Sequence, residues 1–224
     1  MALNARAFLA IWHNLKPGTE RDFDRWHTYE HMPERVGVPG FRQARRYMNW
    51  NLASHVCFTM YEGAHLETFR SPGYLARLND PTPWSRRIGA TQTDFLRGAF
   101  ELDTTVANGI GGAMGTFRIG RESSNREPHL LMLRHVAHDV IALHGVVGVH
   151  IGSARQEVTG VRTKEMDIRP STSAENALDA VMLVETIGFG ELEAILDDVE
   201  ARLRVDGVVS VEAEPYRLAY LLAA

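Results

Sequence analysis

The chain has one cysteine, Cys57, in 224 residues. That scarcity excludes an intrachain disulfide framework and a multi-cysteine zinc site, suits a reducing compartment, and leaves a buried thiol as the expected role. Long hydrophobic runs are missing as well. No segment approaches the roughly 18 apolar residues of a membrane span. The first residues, MALNARAFLAIWHNL, hold neither a long apolar stretch nor a small-residue cleavage site, so the expected location is the cytoplasm, with no membrane partner. Positive charge is not concentrated either. The formal net charge is -4, and RQARR (Arg42 to Arg46) alternates like a strand face, so no basic patch marks a nucleic-acid partner. Two glycine signatures fail. GIGGAMG (Gly109 to Gly115) lacks the strand before and helix after that a dinucleotide fingerprint needs, and no Gly-x-Ser-x-Gly elbow occurs.

What is present is a recurring pattern. AFLAIWHNL (Ala7 to Leu15) reads as a strand apolar on both faces. KPGTERDFDRWHTYEHMPERV reads as a helix with Thr19 as N-cap and acidic residues in its first turn. Strands FRQARRYM and SHVCFTMYEG, a broken helix AHLETFRSPGYLARLND and a strand TDFLRGAFEL complete a βαββαβ unit. From about Gly109 the order starts again: GAMGTFRIG, EPHLLMLRHVAHDVIALHG, VVGVHIGSARQEV, LDAVMLVETIG, FGELEAILDDVEARLRVDG and VVSVEAEPYRLAYLL. GVPGFRQAR (Gly37 to Arg45) and GVVGVHIGS (Gly145 to Ser153) share Gly-Val-x-Gly, which suggests a constant offset of 108 residues.

The expected fold is therefore α+β: two tandem ferredoxin-like βαββαβ units, residues 1–105 and 106–224. A four-stranded sheet covered by helices on one face needs a partner for the other, so the two sheets should pack together as an internal pseudo-dimer, able to pair again as a homodimer. ELDTTVANGIGG would be the linker. The polar stretch Glu157 to Ala177 is read as a surface excursion.

The first helix carries the chemistry. Its sheet-facing stripe, Phe23, Trp26, His27, Glu30, His31 and Glu34, starts apolar and turns polar. Burying so many ionisable groups without partners would cost several kcal/mol, so the seam should open into a polar pocket. Pro33 should kink or end the helix beside His31 and push Met32 out of α geometry. A histidine there has room for substrate and titrates in the range of general acid/base catalysis. His27, Glu30 and His31 also spell the inverted zincin order, but that site needs a continuing helix and a third ligand; Glu34 or His13 would have to serve. His135, His138 and His144 read as a solvated helix face. Arg45 and Arg46 would suit a carboxylate, although alternate arginines on a strand are more often solvated.

KPG at Lys16 to Gly18, Phe23, Trp26, EHMP at Glu30 to Pro33, VPGF at Val38 to Phe41 and RRY at Arg45 to Tyr47 resemble the EthD-like branch of the dimeric α/β-barrel superfamily over about Ala7 to Leu102. The resemblance implies two ferredoxin-like sheets closing a barrel, and a pocket between sheet and helices beside the histidine that precedes the proline, here His31. Relatives include cofactor-free monooxygenases, cyclases, dehydratases, decarboxylases and isomerases. The expected catalytic set is His31 as acid/base, Glu30 or His27 tuning it, and Tyr47 stabilising negative charge. Trp26, His13, Tyr61 and Phe41 are the expected substrate contacts. The partner would be a small enolisable or aromatic carbonyl compound, with no cofactor and no metal. A cofactor-independent monooxygenase and a noncatalytic ligand-binding barrel are the alternatives. Under the 108 offset Trp26, Glu30, His31 and Pro33 fall opposite Arg134, His138, Asp139 and Ile141, so the second half should lack an equivalent site or carry one of different chemistry.

Overall fold

A computed structural model describes residues 3, 5–121, 126–169, 178–204 and 208–224. Strand β1 (Ala7–Leu15) leads into a helical segment made of α1 (Glu20–Trp26), a π turn (His27–His31) and α2 (Met32–Val36). Then come β2 (Phe41–Met48), β3 (Cys57–Gly63), a 3-10 turn (Leu66–Arg70), α3 (Pro72–Asn79), α4 (Pro83–Gly89) and β4 (Gln92–Ala107). The second unit holds β5 (Ala113–Arg121), α5 (Arg126–Val140), β6 (Val146–Ala154), α6 (Gln156–Thr159), α7 (Lys164–Ile168), β7 (Ala180–Thr186), α8 (Phe189–Leu203) and β8 (Val208–Ala223).

The strands close a barrel in the order β1-β3-β2-β8-β5-β7-β6-β4, and each of the neighbouring pairs is antiparallel. Within the units the orders are β4-β1-β3-β2 and β8-β5-β7-β6, so two ferredoxin-like sheets form an intrachain dimeric α/β barrel. β1 is apolar on both faces because it is a central strand, with the barrel interior on one side and helices on the other.

Two strands do the joining. β4 pairs with β1 over Gln92 to Glu101 and with β6 over Phe100 to Ala107. β8 likewise serves β5 and then β2. Most of the expected linker ELDTTVANGIGG is thus strand: its Thr-Thr-Val run is β-branched, and the β6 edge supplies its hydrogen bonds.

Element starts set the correspondence between units. Ala7 and Ala113 open β1 and β5, an offset of 106; Phe41 and Val146 open β2 and β6, 105. Cys57 and Ala180 open β3 and β7, 123; Gln92 and Val208 open β4 and β8, 116. The ladders agree: Leu9 pairs with Tyr61 and Ala99 as Gly115 pairs with Val184 and Pro215. The constant offset of 108 is therefore corrected, since connecting segments differ in length. Gly40 and Gly145, at φ +100° and +78°, correspond under the 105 offset and take the left-handed turn into β2 and β6 that only glycine adopts freely.

One residue separates 106 from 105, and the π turn accounts for it. Pro33 neither ends the helix nor displaces Met32, which keeps φ -63° and ψ -45°. The Met32 N–H bonds to the His27 carbonyl, five residues back, and the wider turn gives the proline ring room that a regular turn denies. The extra residue also rotates the rest of the helix. Met32, Arg35 and Val36 are buried there, while Glu30 and Glu34 turn off the expected stripe. Thr19 makes no side-chain cap; its hydroxyl donates to the Lys16 carbonyl at 2.6 Å.

The barrel interior is packed with aromatic and aliphatic side chains, Phe8, Trp12, Tyr47, Phe58, Phe100 and Tyr216 among them. It also holds charge. Arg45, fully buried rather than solvated, bonds Glu62 at 2.8 Å and Glu185 at 2.9 Å. Glu185 accepts from His150 at 3.0 Å and from the Gly111 backbone at 2.8 Å. Burial works to raise the Glu185 carboxyl, but His150 and Arg45 outweigh it and hold it below the usual range. Arg46, on the other face of β2, is buried against Phe23 and Tyr220. Cys57 is a free buried thiol pushed up to about 12 by burial. Among the described residues no helix is long and apolar enough to cross a membrane.

Candidate active site

Between the first helix and the outer face of its sheet lies a cavity of about 30 Å³, room for roughly two waters. The helix contributes His27, His31 and Arg35. β1 contributes Ile11 and His13, β3 Thr59 and Tyr61, and β4 Gln92, Phe95 and Arg97. Tyr74 and Leu78 of α3 complete the wall, and Glu165 and Arg169 reach in from the second unit's long β6–β7 connection. The expected surface excursion is thus in part a wall of the pocket. Its α7 sits so close to α4 that a Cβ at Gly89 would meet Ile168 at 3.0 Å. Residues 170–177 of that stretch lie outside the described residues.

The imidazoles form a stacked set. Trp26 lies 4.3 Å from His31, His31 is 5.4 Å from His27, and His27 is 5.0 Å from Phe23 between ring centres. Burial drives His27 well below its ordinary range, with His31 and Arg46 adding to the effect. Burial and then Arg35 do the same to His31. His13 falls to about 4, again chiefly by burial. All three are neutral at pH 7, each with one N–H and one lone pair. For His13 both positions are assigned: Nδ1 donates to the Asn14 carbonyl at 3.0 Å, so Nε2 accepts from the Gln92 amide at 3.3 Å. His27 Nε2 meets the Tyr61 hydroxyl at 3.3 Å. The Nδ1 atoms of His27 and His31 are buried and have no partner.

Charge surrounds these rings. Glu165 accepts from Arg35 and Arg169, each at 2.6 Å. Arg169 also donates to Gln92 at 2.8 Å and covers the Phe95 ring at 4.3 Å. Burial would raise the Glu165 carboxyl, yet Arg35 and Arg169 hold it below its usual range. Tyr61 is pushed above its ordinary value by burial and is a neutral hydroxyl donor.

Of the expected residues, His31, His27, His13 and Tyr61 come together here. Trp26 backs His31 and ties its indole N–H to Ser85 at 3.1 Å. Phe41 stands edge-on behind Tyr61 at 6.2 Å. Glu30 is turned away: its carboxylate accepts from Thr82 at 2.5 Å and Ser85 at 3.1 Å, bracing the start of α4. Tyr47 is inside the barrel, on the opposite face of the sheet, bonded to Arg45 at 3.2 Å. Sequence reading missed Arg35, Gln92, Arg97, Glu165 and Arg169. No group of three or more His, Cys, Asp or Glu among the described residues is placed to hold a metal ion, and His135, His138 and His144 are exposed.

The second unit has the same architecture and a different filling. Under the strand offsets His13, Thr59, Tyr61, Gln92, Phe95 and Arg97 correspond to Ile119, Met182, Val184, Val208, Val211 and Ala213. On the helix, Val38 and Phe41 donate to Arg35 and Val38 as Leu143 and Val146 do to Val140 and Leu143. His27, His31 and Arg35 therefore correspond to Leu133, Val136 and Val140. Every one of these counterparts belongs to or packs against a single apolar core.

No family model matches the sequence, and no curated protein matches it. Solved structures do resemble the fold. An anthrone oxidase-like protein matches with a TM-score of 0.68 at 10% identity, covering 100% of this chain and 95% of its own. A proposed monooxygenase of Fusobacterium nucleatum matches at 0.62 and 8% identity, covering 99% and 96%. A proposed monooxygenase of Lactobacillus acidophilus matches at 0.60 and 7% identity, covering 97% and 95%. Identities this low speak for the fold alone.

Proposed function

We propose that the chain is a small-molecule enzyme that moves a proton without a bound organic cofactor, acting on an enolisable carbonyl or hydroxyaromatic compound. The observation that carries this reading is the contrast between units: positions that form a continuous apolar core in the second are imidazole, guanidinium, amide and hydroxyl in the first. Polar groups buried at a helix–sheet seam cost stability, and the fold does not require them. In this reading His31 is the base, because its unpartnered lone pair or N–H is the group a substrate can complete. A neutral imidazole of low basicity removes a carbon-bound proton only if the substrate is acidified. The Tyr61 hydroxyl and the nearby guanidinium groups would do that by stabilising the developing oxyanion. His27 would position the phenol.

The test is NMR detection of solvent deuterium entering carbon positions next to the carbonyl across a panel of enolisable ketones and hydroxyaromatic acids. His31→Ala is expected to lower the exchange rate on an accepted substrate by about 100-fold or more. Full activity in that variant would sink the proposal.

The names borne by the structural neighbours favour a second reading, a cofactor-independent monooxygenase. There the deprotonated substrate itself would reduce dioxygen. Substrate-dependent oxygen uptake separates the two, and stabilisation by a compound that is never turned over would point to a noncatalytic binding barrel. The EthD-like relationship, the tandem origin with a division at residues 105 and 106, and the internal pseudo-dimer are parts of the same proposal.

A further inference from the structure

Arg97 is 7% exposed, and its side chain lines the cavity from β4. It forms no ion pair with any described residue, and its Nε is buried without a hydrogen-bond partner. The carboxylate it acts on, Glu165, is already committed: Arg97 adds only a lesser electrostatic pull, while the two oxygens are hydrogen-bonded by Arg35 and Arg169. A buried guanidinium without an ion pair of its own is costly for a fold to keep, because the charge is largely desolvated and shares the Glu165 carboxylate with two closer arginines. Its counterpart, Ala213, packs against the apolar core, so nothing in the architecture requires an arginine there.

We infer that Arg97 anchors the acid group of the substrate, and that the proton-transfer site takes small organic acids rather than neutral carbonyl compounds. The inference rests on the proposed function for the location of the reacting group. The cavity supports it twice. Its volume of about 30 Å³ suits the pair of oxygens of one carboxylate, about two waters' worth. Among the other residues lining it, the Nδ1 atoms of His27 and His31 and the Nη1 of Arg35 also lack a hydrogen-bond partner, the last having only the Glu34 carboxylate at 3.6 Å. A ligand that completes the set carries an anionic oxygen for Arg97 and an exchangeable proton for an imidazole: a β-keto acid or a hydroxybenzoate. The rest of such a molecule needs space that Glu165 and Arg169 now fill, so binding moves the α7 segment.

The test is calorimetric titration and thermal shift with acetoacetate and salicylate, with their amides, and with inorganic phosphate, on wild type, Arg97→Met, Arg97→Lys and His31→Ala. Wild type is expected to bind the acids roughly thirtyfold or more tightly than the amides, the size of a charge-assisted bond. Arg97→Met abolishes that preference while melting no lower than wild type without ligand, and Arg97→Lys keeps part of it. Failure of both acids to bind overturns the inference. So does equal binding of acid and amide, an undiminished preference in Arg97→Met, or phosphate binding as tightly as the acids. His31→Ala that binds and still turns over an acid would sink the proton-transfer reading and leave this one standing.

Discussion

The two outer seams of the barrel differ in kind although they are built to one plan. Under α5 and α8 the second unit packs Phe117, Ile119, Leu133, Val136, Met182 and Val184 into a continuous core. In the first unit the equivalent positions begin apolar with Ile11 and then become His13, His27, His31, Thr59 and Tyr61. The second unit thus shows what the seam needs for stability alone, and the first shows what has been added to it. The interior follows the same rule on a smaller scale. Arg45–Glu62 in the first unit corresponds to His150–Glu185 in the second, and the Arg45–Glu185 bond ties the two pairs together. There both units keep polar groups, and nearly every charge has a partner.

Three experiments can break or sharpen the contrast. The largest effect is expected from making the second seam like the first. Val136→His puts an imidazole into a packed apolar core and should cost about 3–5 kcal/mol, through overpacking and desolvation together. Urea unfolding measures it, and a loss below about 1 kcal/mol would mean that this seam too can house polar groups.

Acidification comes next. His13, His27 and His31 all have folded values depressed by burial. Above their ordinary value of 6.5 they are neutral both folded and unfolded, so their contribution is fully present. As pH falls below it, the unfolded chain takes up protons that the folded chain refuses. Stability therefore declines towards about 4, the folded value of His13, by up to about 1.4 kcal/mol per pH unit for each group. His150, also lowered by burial, adds a share from the second unit. Chemical denaturation at several pH values reads the slope, and a flat profile between pH 7 and 5 would contradict neutral buried imidazoles.

The smallest effect is the reverse conversion. His27→Leu with His31→Val gives the first unit the second unit's residues and removes two unpartnered buried nitrogens. It should raise stability by about 1 kcal/mol, flatten the acid slope and abolish activity. A loss of stability would show that the imidazoles are structural.

Much of this was legible in sequence. The βαββαβ order and the bounds of β1 come from periodicity, and His31, His27, His13 and Tyr61 do meet. What escaped depended on long-range or sub-turn geometry. A one-residue π insertion decides that Arg35 rather than Glu34 faces the cavity, and no propensity scale reports it. Arg97 carried a faint signal, a charge inside the strand TDFLRGAF. Glu165 and Arg169 carried none, because a polar loop reads as solvated until its partner surface is known. Tyr47 was misplaced because strand parity assigns a face but does not say which face lies inward.

The long strands have a bearing on synthesis. Residues 217–223 of β8 are the ones that cover β2, so until they leave the ribosome β2 stands as an open edge. Through that interval Arg45 has Glu62 from its own sheet, and the closing seam that buries it is still unmade. The nascent chain therefore carries an unpaired strand edge through the making of its whole second unit, a template for wrong pairing. Chaperone engagement of this protein should be concentrated in that late window, before the barrel can shut.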